Sequence, residues 1–243
     1  MDDPEYEWAS HTHFLFSMKI YRIDEDYTES LRTMVDGRVS YNRGEKNRPY
    51  VGIVVNAYGH SFFAPMTHIT HSNAKERDLV FTLNGKGTIL LNNMIPVIPE
   101  AIKEFDIKQL PETTESEKKY KNLLLCQAQK IRKYASYIEK KAENLLKKQE
   151  ENRLKTHFKI TRTCDFKKMV NFIDSDGFKT SKLYKKLKNQ AQISQLKQKE
   201  TTMNAYLKSV KNGVIKPKKQ NVLKKVYQKK IWYTFCFKYG YFL

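Results

Sequence analysis

Apolar positions along this chain change their period twice. Residues 1–17 form a polar and aromatic leader without periodicity, and Met18 opens a better-formed segment, MKIYRIDEDY, which reads as an alternative start. A short strand follows, then a helix over about 27–34, then a polar loop over 35–48 with Gly37 and Gly44 as breakers. YVGIVV (50–55) is rich in β-branched residues and reads as a buried strand, and HSFFAPM (60–66) returns as its partner across the turn residues 56–59. LVFTL (79–83) is a third strand of this type, ended by Asn84-Gly85, a favoured hairpin turn. TILLNNMIPVI (88–98) supplies one or two more strands, cut by Pro96 and Pro99. Short strands joined by tight turns predict a small, strongly bent antiparallel sheet or partial barrel.

After residue 110 the period becomes helical. Thr114 with Glu117 three residues on forms a capping-box signature. Leu124, Ala128, Ile131, Ala135, Ile138, Ala142 and Leu145 then alternate spacings of four and three, one apolar stripe along a single long helix of about 35 residues. Beyond residue 173 the pattern is interrupted by Gln, Asn and Lys, and no internal repeat is present. The expected class is α+β, with residues 18–173 as one domain and 174–243 as a Lys-rich, mostly helical extension.

The net charge of +19 matters chiefly through its distribution. Residues 174–243 hold 17 Lys, no Arg and 3 acids, whereas residues 1–173 hold 28 basic and 23 acidic residues. Such a segment suits a polyanion, with salt-dependent and sequence-blind affinity, and equally suits a solvated surface. No stretch approaches the roughly 20 apolar residues that span a bilayer, and the acidic N-terminus lacks signal-peptide order. Cys126, Cys164 and Cys236 are odd in number and far apart, which points to reduced thiols in a cytoplasmic protein.

Three segments carry a resemblance: NRPYVGIV (47–54), FFAPMTHITH (62–71) and LNNMIPV (91–97). Together with MKIY (18–21), YKNLLLCQAQKIR (120–132), KAENL (141–145) and CDFKKM (164–169), in that order and spacing, they resemble the ToxN/AbiQ family, the protein component of type III toxin–antitoxin systems. The resemblance implies a sheet bent like that of the MazF/Kid toxins. It also implies an endoribonuclease toxin of abortive infection and phage defence, cutting single-stranded RNA to a 2′,3′-cyclic phosphate. Its expected partner is an antitoxin RNA of repeated pseudoknots, bound in a ring-shaped protein–RNA hetero-oligomer.

Cleavage of that kind uses the substrate's own 2′-hydroxyl as nucleophile, so neither a protein nucleophile nor a metal or other cofactor is required. The protein must align the backbone, move two protons and stabilise a phosphorane. His68 and His71 suit proton transfer, with Thr67 and Thr70 beside them and Arg48 suited to the phosphorane charge. Arg48 precedes Pro49, whose ring favours extended geometry at the mouth of a strand; a surface ion pair with Glu45 is the competing role. His68 and His71, three apart, would face opposite sides of a regular strand, so joint action requires the chain to turn there. A zinc pair lacks an identifiable third ligand. Lys46, Lys75 and Arg77 are placed to guide RNA, and Tyr27 and Tyr50 to stack bases or orient phosphate, with core packing as the alternative for Tyr50.

Many members of that family carry Ser-Pro-Lys after the proline matching Pro65. Here His68 falls on the serine, Thr70 on the lysine and Arg48 near a second lysine; Tyr41 is nearest to a family tyrosine. Two alternatives to an active nuclease stay open: a catalytically degenerate RNA-binding member, and a basic nucleic-acid-associated protein whose Lys-rich tail does the binding.

Overall fold

A computed structural model describes residues 19–42, 44, 48–69, 78–103, 105–154 and 156–212. Its strands, in chain order, are β1 (Ile20–Ile23), β2 (Tyr50–Ala57), β3 (His60–Thr67), β4 (Val80–Thr82), β5 (Thr88–Leu90), β6 (Ile95–Pro96) and β7 (Ile102–Lys103). All pairings are antiparallel, in the order β4-β5-β3-β2-β1-β7, with β6 also on β3. The sheet is open: β4 and β7 form its two ends.

The expected hairpin between β2 and β3 is present. Ala57 pairs with His60 across Tyr58 and Gly59, both at positive φ, the conformation a two-residue primed turn demands. Gly52 has a different reason. A Cβ there would lie 2.7 Å from the Tyr21 ring, and Tyr21 and Phe63 meet edge to face over that space at 5.3 Å. β3 forks, pairing with β6 through Phe62 and Phe63 and with β5 through Met66 and Thr67. Pro65 sits between the two partners, where the neighbour on that side changes and no ladder amide is needed.

Helix α1 (Glu25–Met34) starts at Asp24, whose carboxylate accepts from the amides of Asp26 and Tyr27. The stripe expected on one long helix belongs to two: α2 (Glu115–Lys133) and α3 (Ala135–Glu150). The predicted capping box at Thr114 and Glu117 opens α2. The break is at Tyr134, where ψ turns to +18° and the ring packs 5.8 Å from Phe81 of β4. Neither Gly nor Pro marks that position, so the 4-3 spacing carries straight through it. Leu124, Ile131, Ile138, Ala142 and Leu145 are all buried.

Short helices α4 (His157–Arg162), α5 (Phe166–Asp174) and α6 (Asp176–Thr180) precede α7 (Lys182–Lys211). The chain divides into two compact units, one to Asn189 and one from Gln190. The first therefore reaches beyond the family-like segment: Phe178 and Leu187 are buried, and Phe178 packs on Tyr27, Phe172 and Tyr184. In the second unit residues 190–206, 208, 209 and 212 are exposed or half-buried. Among the described residues no helix is long and apolar enough to cross a membrane.

Candidate active site

The β2–β3 ladder decides which polar residues share one end of the sheet. Tyr50 lies opposite Pro65, and Met66 N donates to Pro49 O at 2.9 Å, so the pairing continues one step past the end of β2. Carried one position further, that register sets Arg48 across from Thr67. Thr67 in turn lies opposite Thr88 of β5, and Thr88 opposite Thr82 of β4. Directly opposed residues project from the same face, so Arg48, Thr67, Thr88 and Thr82 form one row across four neighbouring strands. Pro49 has no amide to donate, which is why the strand proper starts only at Tyr50.

Arg48 is held from behind. Its amide donates to Oδ1 of Asn42, a buried residue of the preceding loop. Asn42 was not singled out from the sequence; a polar residue in a polar loop gives no sign that it is buried.

At the other side of the row the chain leaves β3 at Thr67 and bends at His68 and Ile69. The Thr67 hydroxyl accepts from Ile69 N at 3.2 Å, leaving its own proton to be donated. Thr88 Oγ1 donates to Ile69 O at 2.9 Å. Gly87, at φ +110°, presses on the same turn: a Cβ there would stand 2.2 Å from Thr67 O and 3.3 Å from His68 Cα. His68 itself is exposed. The regular strand ends at Thr67, with bends at His68 and Ile69. Thr70, His71, Lys75 and Arg77, together with Lys46, lie outside the described residues.

Two expectations are corrected. The Tyr27 and Tyr50 rings are fully buried, so neither offers a face to a base. Tyr27 donates its hydroxyl to Pro96 O at 2.6 Å and packs on Phe178, and burial pushes its phenol pKa up. Burial raises that of Tyr50 as well, with the nearby Arg48 charge opposing the shift. Tyr41 is exposed beneath the Arg32 guanidinium.

The LNNMIPV and CDFKKM segments do structural work away from this row. Asn92 donates to Arg162 O and accepts from Cys164 N through its own carbonyl, while Asn93 donates to Arg38 O. Gln149 bridges Cys164 O and Phe166 N. Asp36 closes the network, taking Arg38 through two oxygens and the Asp165 amide. Cys164 is buried, and desolvation pushes its thiol up to about 12, so it is an inert structural cysteine.

A family model described as toxin ToxN of type III toxin–antitoxin systems matches residues 19–174, well over half of the chain. The chain belongs to the ToxN toxin family. The endoribonuclease ToxN of Bacillus thuringiensis subsp. kurstaki is 31% identical over 159 residues, covering 62% of this chain and 80% of that protein. The endoribonuclease ToxN of Pectobacterium atrosepticum is 31% identical over 162 residues, covering 61% and 88%. One solved structure, described as showing selective toxin inhibition by a non-coding RNA pseudoknot, superposes with a TM-score of 0.53 at 29% identity, covering 62% of this chain and 92% of its own. A second, described as a processed non-coding RNA regulating a bacterial antiviral system, gives 0.52 at 28% identity, covering 63% and 94%. The matched ToxN segment contains the whole Arg48–Thr67–Thr88 row. It ends near Asp174, so Phe178 and Leu187 complete the core from outside it.

Proposed function

We propose that this ToxN-family chain is an endoribonuclease that cuts single-stranded RNA through its own 2′-hydroxyl and is neutralised by an antitoxin RNA of repeated pseudoknots. In this reading the 2′-oxygen bonds to phosphorus and the bond from phosphorus to the 5′-oxygen breaks. The products are a 2′,3′-cyclic phosphate and a 5′-hydroxyl, with one proton removed at the 2′-oxygen and one delivered at the 5′-oxygen. The observation that supports it is the β2–β3 register: Tyr50 pairs with Pro65 and Met66 N donates to Pro49 O, and continuing that ladder brings Arg48 towards Thr67, one residue before an exposed histidine.

His68 takes one proton-transfer role and His71 the other, imidazole being able both to accept and to donate a proton. Arg48 stabilises charge on the phosphorane, with the Thr67 and Thr70 hydroxyls donating to its oxygens. Lys46, Lys75 and Arg77 hold flanking phosphates. Homology to two proteins named endoribonuclease ToxN supports the reaction class, and two structural relatives described around non-coding RNA support the RNA partner. A sheet bent as in MazF/Kid toxins, a cytoplasmic location and a closed protein–RNA ring are parts of the same proposal.

The test is cleavage of a single-stranded RNA by the purified chain in EDTA, with products analysed for a cyclic phosphate end. His68→Ala is expected to lower the rate by about 10²-fold or more, the usual effect of losing a general acid or base. Wild-type cleavage by that variant removes His68 from the mechanism. A wild-type chain that binds folded RNA tightly but cuts none selects a binding role instead.

A further inference from the structure

Resting on the reading of Thr67 and His68 as the catalytic turn, we infer that Thr88 is a positioning residue for that turn, supported from helix α2 by Gln127. The turn leaves the end of β3, where ladder bonds no longer fix it. Two contacts from the β4–β5 hairpin replace them, and helix α2 anchors that hairpin. Thr88 is buried and donates its hydroxyl to Ile69 O at 2.9 Å, on the far side of His68 from the strand. Gly87 allows the β4–β5 turn to lie against Thr67 O and His68 Cα, an approach that any side chain at 87 would block. Gln127, only 3% exposed, donates to Lys86 O at 2.5 Å and so anchors that turn to α2. Lys130, one helical turn along, donates to Leu83 O at 3.0 Å and Asn84 O at 3.3 Å.

All of these bonds end on main-chain oxygens. The Thr88 bond reaches the turn itself, and the Gln127 and Lys130 bonds hold the β4–β5 turn that lies against it. A buried glutamine inside an apolar helical stripe is costly unless its amide is used. Here it is spent on the residue next to Gly87. The arrangement runs from helix to hairpin turn to catalytic turn, and its function is to hold the imbalance between a strand end and an exposed histidine within the small displacement that proton transfer tolerates.

Thr88→Val keeps the volume and removes the donor; Thr88→Ser keeps the donor. With full-length chain and single-stranded RNA, assayed well below each variant's melting temperature, Thr88→Val is expected to lower kcat by about tenfold or more with KM within about twofold of wild type. Thr88→Ser is expected to recover most of that loss. Gln127→Met, which removes the amide at similar length, is expected to lower kcat in the same direction, and it decides the matter if Thr88→Val does not fold. A wild-type kcat in Thr88→Val, or a Ser variant as slow as the Val one, overturns the inference, because the hydroxyl then has no part in rate. Full activity of His68→Ala sinks the underlying catalytic reading; full activity of Thr88→Val beside an inactive His68→Ala sinks only the brace.

Discussion

Tyr27→Phe separates a core tyrosine from an RNA-contacting one. The ring is fully buried, packs edge to face on Phe178, and its hydroxyl donates to Pro96 O of β6 at 2.6 Å. Phenylalanine fills the same space, so no cavity forms, and the change isolates one buried hydrogen bond. The bond itself contributes about 1 kcal/mol net, and leaving a buried carbonyl without its donor adds a desolvation cost, for about 1–3 kcal/mol in all. Each kcal/mol moves the melting temperature of a domain of this size by about 2–4 °C. The expected result is a melting temperature lower by about 2–12 °C, with a matching fall in the urea midpoint and an unchanged m value. The kcat for RNA cleavage at low temperature should stay at the wild-type level. An unchanged urea midpoint would refute the reasoning, and so would a loss of kcat without a loss of stability, since a phenol that oriented phosphate would produce that pattern.

Phe178→Ala removes a buried ring that touches Tyr27, Phe172 and Tyr184, and should destabilise by about 3–5 kcal/mol in urea titration. Cutting the chain at Asp174 would remove the same ring, so RNA binding lost by that truncation could not be assigned to the Lys-rich tail alone. Arg48→Ala should lower kcat by about 10²-fold, the usual effect of deleting one donor to developing anionic charge; Arg48→Lys, which keeps the charge, should recover part of it. Asp36 is pushed up by burial, but the Arg38 guanidinium and the Asp165 and Arg38 amides outweigh that and hold it below its ordinary 3.8. A depressed carboxylate stabilises the fold above its unfolded pKa and loses that contribution as pH falls through the folded one. Wild type should therefore exceed Asp36→Asn in stability most clearly above pH 4, with the gap closing in acid; a gap that stays constant down to pH 2 would contradict the pairing.

The parts of this fold that local chemistry dictates were legible before any coordinates. Gly59, Asn84 and Gly85 adopt the positive φ their residue types favour, and Thr114 and Glu117 cap a helix as their spacing requires. What the pattern could not carry is tertiary. Tyr134 interrupts the long helix because its ring finds Phe81, a residue some fifty positions earlier, and no local breaker announces that. Tyr27 and Tyr50 looked like candidates for RNA because a tyrosine's polar tip is visible in sequence while its burial is not. Gln127 and Thr88 went unnoticed for the converse reason: one lies in an apolar stripe and the other in a short strand, and each gains its role only from main-chain oxygens brought to it by the fold.

His68, expected from the resemblance to stand where the family carries serine, sits in a turn held through its backbone. The contacts that shape the turn fall on Thr67 O, the His68 Cα, Ile69 N and Ile69 O, and the hydrogen bonds that Thr88 and the Thr67 hydroxyl make there end on the backbone of Ile69. A turn fixed through its backbone presents whatever side chain occupies its apex from the same place. Serine and histidine then differ in reach and in proton chemistry, while the path of the chain beneath them is set by the same hydrogen bonds. His68→Ser should therefore fold with an unaltered melting temperature, because the imidazole is exposed and the bonds at Ile69 are made to the backbone, and any change in cleavage should appear in the rate and its pH profile. A His68→Ser variant that loses several degrees of stability would show that the imidazole helps to build the turn, and the backbone brace would no longer account for it.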